Sequence, residues 1–410
     1  MLDTVSVFHA NGALSNMLGS EFAQLLGDLS RNVDQPFSTL RQDVIRDISR
    51  KLLTQIKSRE QPELIALGYW LRPSSVRTLA DQSAPLSKHE IRVARGFSYH
   101  LPPTNVDTLF VYSWAISFLL GNSNLVRLPT DISKTTNFLL ETVIDSLEKF
   151  DCADGQIFCQ FDFKSSLGET ISKVADLRVI WGGDEKVQVV SKEPMKPGSI
   201  SLGFPDRKSF SIVKSSAYGN LDDAGRDDLA NQFYNDLYWF DQMGCGSPRA
   251  LIWICHGDDK SFKDEFIMRL NSVLTRKGYV SELATDIAKF VHATECLAKG
   301  AATSAQRVSP ELMVVNVEMS STLLNDTHGG GCISASSIEE LREVGTILSE
   351  KLQTISAFGL TESEKIELSA LMARNGGFRI VNIGSALSFE TIWDGVDLIE
   401  HFSRKIVIHK

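Results

Sequence analysis

The sequence is poor in cysteine, and the cysteines it has are irregularly placed. Six cysteines occur in 410 residues, with no Cys-x-x-Cys pair and no cysteine–histidine cluster at the spacing of a zinc site. This pattern excludes a disulfide scaffold and predicts that the protein binds no metal. Free thiols fit a reducing compartment, so we expect a cytoplasmic protein.

Long apolar runs and an excess of positive charge are also missing. The most apolar run, Leu109 to Leu120, contains Tyr and Ser residues and is too short to span a bilayer. The start, Met-Leu-Asp, lacks the basic and apolar regions of a signal peptide. With a formal net charge of −9, the chain has no basic excess to match a nucleic-acid backbone. We expect a soluble chain with no transmembrane segment and no nucleic-acid partner.

What is present indicates an α/β protein. From residue 91 onward, short apolar segments such as 93–99 and 125–128 alternate with helical ones, which predicts βαβ units and a parallel sheet. Ligands bind such sheets at the carboxyl ends of the strands. Residues 1–90 show helical spacing instead, with an apolar stripe at Leu40, Val44, Ile48 and Leu52. The length predicts two or three domains.

One cysteine lies in a setting that favours reactivity. Cys245 stands between two glycines, after an amphipathic segment at 223–240 and before an apolar strand at 250–255. The glycines remove the Cβ atoms that would hinder a substrate approaching the sulfur, and a helix-to-strand turn is a common position for a nucleophile. Free cysteines are more often buried packing residues, so the spacing alone leaves both interpretations open.

Five blocks of sequence, in chain order, carry a resemblance to a known family. They are His100–Val106, Gly121–Pro129, Ile180–Glu185, Gln242–Pro248 and Trp393–Ile399. Together they resemble the acyl-CoA reductase family, typified by the fatty-acid reductase subunit of bacterial bioluminescence (LuxC-type), within the aldehyde dehydrogenase superfamily. The resemblance runs from about residue 91 to the end of the chain.

The resemblance implies an aldehyde-dehydrogenase-like α/β fold, with a Rossmann-like cofactor domain plus an α/β catalytic domain. The expected division is an N-terminal helical region at 1–90 joined to the cofactor domain, an NADP(H)-binding domain at 91–240, a catalytic domain at 241–370 and a C-terminal return segment at 371–410. The strand 404–408 would extend a partner's sheet in a homo-oligomer. No Gly-x-Gly-x-x-Gly fingerprint is visible, as expected for a superfamily that holds its dinucleotide differently.

The implied reaction is reduction of an acyl thioester, acyl-CoA or acyl-protein and of the fatty type, to an aldehyde. Cys245 would form the acyl-enzyme, and NADPH would deliver the hydride. Asn105 matches the superfamily's oxyanion donor, and His328 is a candidate for moving the proton of the thiol or of the leaving group. The alternatives are an asparagine that ends a turn after two prolines and an ordinary loop histidine.

The resemblance also implies a set of cofactor contacts. Arg127 falls where the superfamily has a lysine on the adenosine ribose, and a guanidinium there suits a 2′-phosphate, which favours NADPH over NADH. A glycine turn would lie beside the pyrophosphate. The full set is Thr104, Arg127, Pro129, Gly182, Gly183 and Asp184. The alternatives are a solvated strand-end arginine, an ordinary βα turn and, for Asp184, a helix cap.

One departure from the superfamily bears on the fate of the acyl-enzyme. Where aldehyde-oxidising members carry a glutamate that activates water, this chain has Ser201-Leu202-Gly203-Phe204. Hydrolysis should therefore be slow, although Asp206 is a candidate substitute. Two other functions stay open: an acyl transferase or thioesterase that uses the same cysteine, and a non-catalytic scaffold beside an acyl-activating synthetase partner.

Overall fold

The computed structural model describes residues 4–9, 14–29, 32–55, 61–85, 87–256, 260–320, 323–324 and 327–409. The chain divides into two compact units. Unit 1 comprises Met1–Pro205 with Phe389–Lys410, and unit 2 comprises Asp206–Ser388. Among the described helices, none is both long and apolar enough to cross a membrane.

Unit 1 is a layered α/β structure. Its strands are β1 (Thr4–Phe8), β2 (Leu14–Leu18), β3 (Glu90–Ala94), β4 (Phe97–Leu101), β5 (Ser123–Arg127), β6 (Gln156–Gln160), β7 (Leu177–Trp181), β8 (Ile200–Phe204), β16 (Ile392–Trp393), β17 (Val396–Asp397) and β18 (Ser403–Val407). Its helices are α1 (Gly19–Leu29), α2 (Thr39–Thr54), α3 (Pro62–Trp70), α4 (Pro73–Ser83), α5 (Leu109–Leu119), α6 (Lys134–Lys149), α7 (Leu167–Val174), α8 (Asp184–Ser191) and α14 (Leu398–Phe402).

The main sheet of unit 1 has the order β2-β1-β6-β5-β4-β7-β8. The five strands from β6 to β8 are parallel, and β1 joins β6 in antiparallel fashion. Strands β4, β5 and β7 are buried along their whole length, as expected of a sheet covered on both faces. From β4 the chain proceeds first to β5 and β6 on one side and then to β7 and β8 on the other. The carboxyl ends of β4 and β7 therefore border the crevice where such sheets bind ligands.

Unit 2 contains a second parallel sheet. Its strands are β9 (Lys208–Lys214), β10 (Pro248–Ile254), β11 (Ser304–Arg307), β12 (Met313–Asn316), β13 (Cys332–Ile338), β14 (Leu352–Phe358) and β15 (Arg379–Asn382), in the order β11-β12-β13-β10-β9-β14-β15. Only β11 is antiparallel to its neighbour. Its helices are α9 (Ser215–Gly219), α10 (Asp223–Tyr238), α11 (Lys260–Lys277), α12 (Leu283–Ala298), the 3-10 helix Leu341–Thr346 and α13 (Glu362–Asn375).

The unit boundaries differ from those expected from the sequence. The first boundary lies at Pro205/Asp206 rather than at 240/241, because β9 hydrogen-bonds between β10 and β14 at the centre of the second sheet. The return to unit 1 starts at Phe389 rather than at 371, because β15 pairs with β14. The segment 206–240 therefore folds with the cysteine rather than with the expected cofactor domain.

Two local predictions also need correction. Residues 1–90 are not entirely helical, because β1 and β2 form the edge of the main sheet. The strand expected at 93–99 is two strands, because Gly96 takes a φ of 137° between them. The terminal strand, β18, pairs with β3 of its own chain, and its role in an oligomer stays a prediction.

Candidate active site

Cys245 lies in a turn between the end of α10 and the start of β10, as the sequence predicted, and it is partly exposed. Because the cysteine precedes its strand, it lies at the amino edge of the parallel sheet. The expectation of a site at the carboxyl ends therefore does not apply to this residue. The turn is anchored on the neighbouring strand, since the Ser209 hydroxyl donates to the Cys245 carbonyl at 2.7 Å.

Gln242 holds the cysteine turn in shape. Its side chain is fully buried. The amide nitrogen donates to the carbonyls of Pro248 at 2.6 Å and Cys332 at 3.2 Å, and the amide oxygen accepts from the Gly331 N–H at 2.9 Å. Asp241 and Gln242 both have positive φ, 49° and 60°, which non-glycine residues adopt only when the surroundings enforce it. Gln242 belongs to one of the five motif blocks, but the sequence did not indicate that it holds the turn.

The glycine-rich segment 329–331 packs against the same turn. The Gly330 N–H donates to the Asp241 carbonyl at 3.1 Å. A Cβ at Gly329 would lie 2.2 Å from Nη1 of Arg249, so a larger residue there would displace the guanidinium. His328 precedes this segment, its Nδ1 lies 2.9 Å from the Gly329 carbonyl, and its ring lies 5.5 Å from that of His292 on α12.

Arg249, at the start of β10, is the cation that the sequence did not single out. Burial lowers the pKa of Arg249, and the charges of Cys245 and Asp206 partly offset that effect. The guanidinium therefore lies within electrostatic reach of both the cysteine sulfur and the Asp206 carboxylate. A cation near a thiol favours the thiolate, which is the nucleophilic form.

The other five cysteines are poorer candidates. Cys159, Cys255, Cys296 and Cys332 are buried, and Cys152 is partly exposed. Burial raises the pKa of both Cys159 and Cys332 to about 12 and also raises that of Cys152. Exposure and environment therefore favour Cys245, as the sequence did. Within the described residues, no group of three or more His, Cys, Asp or Glu side chains is arranged to hold a metal ion.

In unit 1, the expected cofactor residues gather at the carboxyl edge of the sheet. Thr104 and Pro129, from the loops after β4 and β5, both line a cleft of about 110 Å³. Asn105 lies in a bend of the first of these loops and is exposed. The cleft also contains Asp107, whose carboxylate accepts from the hydroxyls of Ser133 at 2.8 Å and Thr136 at 2.7 Å at the start of α6.

Arg127 is not the solvated strand-end residue of the alternative interpretation. Its side chain is 9% exposed and stacks on the rings of Phe161 and Phe163 at 5.3 and 5.2 Å. Nη2 donates to the Phe161 carbonyl at 2.9 Å, whereas Nε is buried and finds no partner among the described residues. Its strand neighbours Val126 and Leu128 pack on the opposite face of the sheet.

The glycine turn after β7 is explained partly by packing. A Cβ at Gly182 would lie 2.8 Å from Cδ of Lys186, so this glycine makes room for the lysine stem. Gly183 is the N-cap of α8 and faces open space. Asp184 is therefore the first helical residue and not the cap. The N–H groups at this exposed helix start remain suited to an anion.

Lys186 is the residue of this edge that the sequence reasoning missed. Its Nζ donates to the carbonyls of Pro102 at 2.8 Å and Trp181 at 3.0 Å, and so it joins the loops after β4 and β7. Burial, together with the charge of Arg127, lowers the pKa of Lys186 to about 8. The sequence did contain an indication of this role, because a lysine in the first turn of a helix opposes the helix dipole and needs a local partner.

The stretch Ser201–Phe204 lies in β8, at the edge of the main sheet. Phe204 is buried and stacks on Trp181 with ring centroids 4.1 Å apart. The stretch serves to pack the sheet, and it brings no carboxylate to either edge.

Solved structures similar to this chain show its fold. Glyceraldehyde-3-phosphate dehydrogenase GapN from Methanocaldococcus jannaschii, complexed with NADP, aligns over 100% of both chains with a TM-score of 0.65 and 12% identity. Aldehyde dehydrogenase 21 from Physcomitrella patens covers 98% of this chain and 94% of its own, with a TM-score of 0.68 and 11% identity. The predicted aldehyde-dehydrogenase-like α/β fold is thereby confirmed.

The chain belongs to the acyl-CoA reductase (LuxC) family, whose model matches residues 71–405. The long-chain acyl-protein thioester reductase of Photorhabdus luminescens is 25% identical over 322 residues, covering 75% of this chain and 62% of that protein. The long-chain acyl-protein thioester reductase of Aliivibrio fischeri is 26% identical over 163 residues, which cover 39% of this chain and 32% of that protein. The chain thus spans less than two thirds of the length of these curated relatives.

Proposed function

We propose that this protein reduces an acyl thioester to an aldehyde through an acyl-enzyme on Cys245, with NADPH as the electron donor. The observation that carries the proposal is a partly exposed cysteine in a glycine-flanked turn, in a chain of the acyl-CoA reductase family. The relatives named for acyl-protein thioester reduction favour a fatty acyl group, carried by a protein or by coenzyme A.

The chemistry begins at the sulfur. The Cys245 thiolate attacks the carbonyl carbon of the thioester, the carbon–sulfur bond to the donor breaks, and the donor leaves as a thiol after taking a proton. Arg249 favours the thiolate by its charge. We assign Asn105 as the oxyanion donor and His328 as the group that moves the proton. The overall reaction consumes one thioester, one NADPH and one proton, and it yields an aldehyde, a thiol and NADP⁺.

The carboxyl edge of unit 1 supports a dinucleotide site. The cleft lined by Thr104 and Pro129, the open helix start at Gly183 and the unpaired Nε of Arg127 are features that a phosphorylated cofactor would satisfy. Lys186 and Arg127 bring two positive charges to this region. These residues would hold NADPH, which supplies the hydride that reduces the acyl group when it is bound. The preference over NADH rests on Arg127.

The test compares the wild type with Cys245→Ala and, as a matched control, Cys152→Ala, the other cysteine that is not buried. We would measure NADPH oxidation with a series of acyl-CoA chain lengths, together with intact mass. We expect acyl-dependent oxidation and an acyl adduct in the wild type and in Cys152→Ala, and neither in Cys245→Ala, because the nucleophile is gone.

Other outcomes separate the alternatives. Acylation of Cys245 without NADPH oxidation would support an acyl transferase, and release of free acid would support a thioesterase. A folded protein whose Cys245 accepts neither an acyl group nor iodoacetamide would contradict both enzymes, and it would support a scaffold beside an acyl-activating synthetase.

A further inference from the structure

A loop from the end of unit 2 covers the cysteine turn. The loop, residues 384–388, follows β15 and lies against both glycines that flank Cys245. A Cβ at Gly246 would lie 2.4 Å from the Ala386 carbonyl oxygen, and a Cβ at Gly244 would lie 3.1 Å from Cδ2 of Leu387. The backbones of the turn and the loop therefore meet directly at Gly246, and the Leu387 side chain lies against the turn at Gly244. A shift of the loop must move the turn or open a gap beside it.

The loop is held by a carboxylate nine residues before the cysteine in sequence. Asp236, on the last turn of α10, is fully buried. Its Oδ2 accepts from the Gly384 N–H at 2.7 Å, and its Oδ1 accepts from the Ala386 N–H at 2.9 Å. Gly384 has a φ of 91°, and a Cβ there would lie 2.8 Å from Cβ of Gln232 on the same helix. The loop backbone thus lies directly on α10.

A cation holds the carbonyl side of the same residue, Ala386. Arg379, the first residue of β15, donates from Nη2 to the Ala386 carbonyl, the oxygen that contacts Gly246. Nη1 donates to the Ser388 carbonyl at 3.2 Å, and Nε donates to the Thr354 hydroxyl at 3.2 Å. Ala386 is therefore fixed through its N–H by Asp236 and through its carbonyl by Arg379.

We propose that Asp236 is a positioning residue for Cys245: by fixing the 384–388 loop against the two flanking glycines, it sets the conformation of the cysteine turn for acyl transfer. This role deepens the proposed function and, for its effect on acylation, rests on it. The carboxylate acts through the loop, because it accepts hydrogen bonds from two loop N–H groups.

The arrangement makes the positioning depend on pH. Burial raises the pKa of Asp236 to about 7, and the two N–H groups and the charge of Arg379 oppose that rise. Arg379 is the charged group that faces the carboxylate from the packed elements. A proton on either oxygen would point a donor at a loop N–H and remove one hydrogen bond. Both hydrogen bonds from the loop N–H groups to Asp236 should therefore form above pH 7, and one of them should be lost below it.

The test uses the full chain with Asp236→Asn, which places an NH₂ group against one loop N–H. The matched control is Asp228→Asn, which makes the same change two turns earlier on α10, at a carboxylate that accepts from Gln232. Hydrogen exchange followed by mass spectrometry, which requires no activity, would be measured on peptides covering 384–388 and 241–248. We expect faster exchange in both peptides for Asp236→Asn and in neither for the control.

The second readout is the single-turnover rate of Cys245 acylation by an acyl-CoA, followed by intact mass. At about pH 8 we expect Asp236→Asn to be acylated roughly tenfold or more slowly than the wild type, because a small misplacement of a reacting group is costly. The two rates should approach each other as the pH falls below about 7. A purely structural role would lower stability without this convergence.

The inference would be overturned if the 384–388 peptide loosens while 241–248 exchanges as in the wild type, or if acylation of the variant matches the wild type at about pH 8. Failure of the proposed function has a different signature. In that case the wild type is not acylated by any acyl-CoA, and the exchange of 241–248 alone decides whether Asp236 positions the turn.

Discussion

The buried imidazole of His100 allows a quantitative prediction about stability and pH. His100 is fully buried in unit 1, with Nδ1 2.8 Å from the Ser113 hydroxyl and Nε2 3.0 Å from Oδ1 of Asn124. Because Asn124 uses its NH₂ group to donate to Gln156 at 2.8 Å, its oxygen must accept, so the network assigns the proton to Nε2. Trp181 already donates to the Ser113 oxygen at 3.1 Å, which leaves the serine proton for Nδ1. The neutral ring satisfies every partner.

Burial lowers the pKa of His100 from 6.5 to about 4, and the bond to Asn124 only partly offsets this. Between these two values the unfolded chain binds a proton that the folded chain does not, so stability rises with pH over that window and is complete above it. Linkage with these two pKa values gives a loss of about 2 kcal/mol in the free energy of unfolding between pH 7 and pH 5.

The assay is urea unfolding at about pH 5, 6 and 7, followed by the fluorescence of tryptophans that include Trp181 of this network. The comparison is wild type against His100→Gln, which keeps a polar side chain but cannot titrate. The difference in unfolding free energy between the two proteins isolates the contribution of His100. The reasoning is refuted if both proteins lose the same stability between pH 7 and pH 5, or if the imidazole titrates near 6.5 by NMR.

Two further predictions follow from single contacts. Gly246→Ala should lower the free energy of unfolding of unit 2 by about 1–3 kcal/mol, because the new Cβ would overlap the Ala386 carbonyl. Thermal unfolding measures this loss, with Gly345→Ala as the control, because a Cβ at Gly345 would lie 3.8 Å from its nearest neighbouring atom. Equal melting temperatures for the two variants would contradict the prediction. Arg127→Met should raise the dissociation constant for NADPH about tenfold and leave that for NADH nearly unchanged, because a charge-assisted hydrogen bond to the 2′-phosphate is lost. Fluorescence titration tests this, and equal weakening for both cofactors would refute the assignment.

Local patterns in the sequence determined much of this protein. The apolar spacing before Cys245 predicted α10, and the glycines around it predicted an accessible turn, because helical periodicity and glycine conformation act over a few residues. The alternation of strands and helices predicted parallel sheets for the same reason. The five motif blocks led to the family, which the match over residues 71–405 confirms.

Other features were decided only by tertiary structure, because they depend on which distant segments meet. The boundary at Pro205/Asp206 follows from strand pairing between β9 and β14, which no local pattern encodes. The position of Lys186 in the first turn of a helix calls for a local partner, but the partners are identified only when β4 and β7 bring two carbonyls to its ammonium group. Asp236 likewise reads as one more charge on an amphipathic helix. Its burial and its contact with the loop across 148 residues arise only when β15 joins the sheet that holds the cysteine.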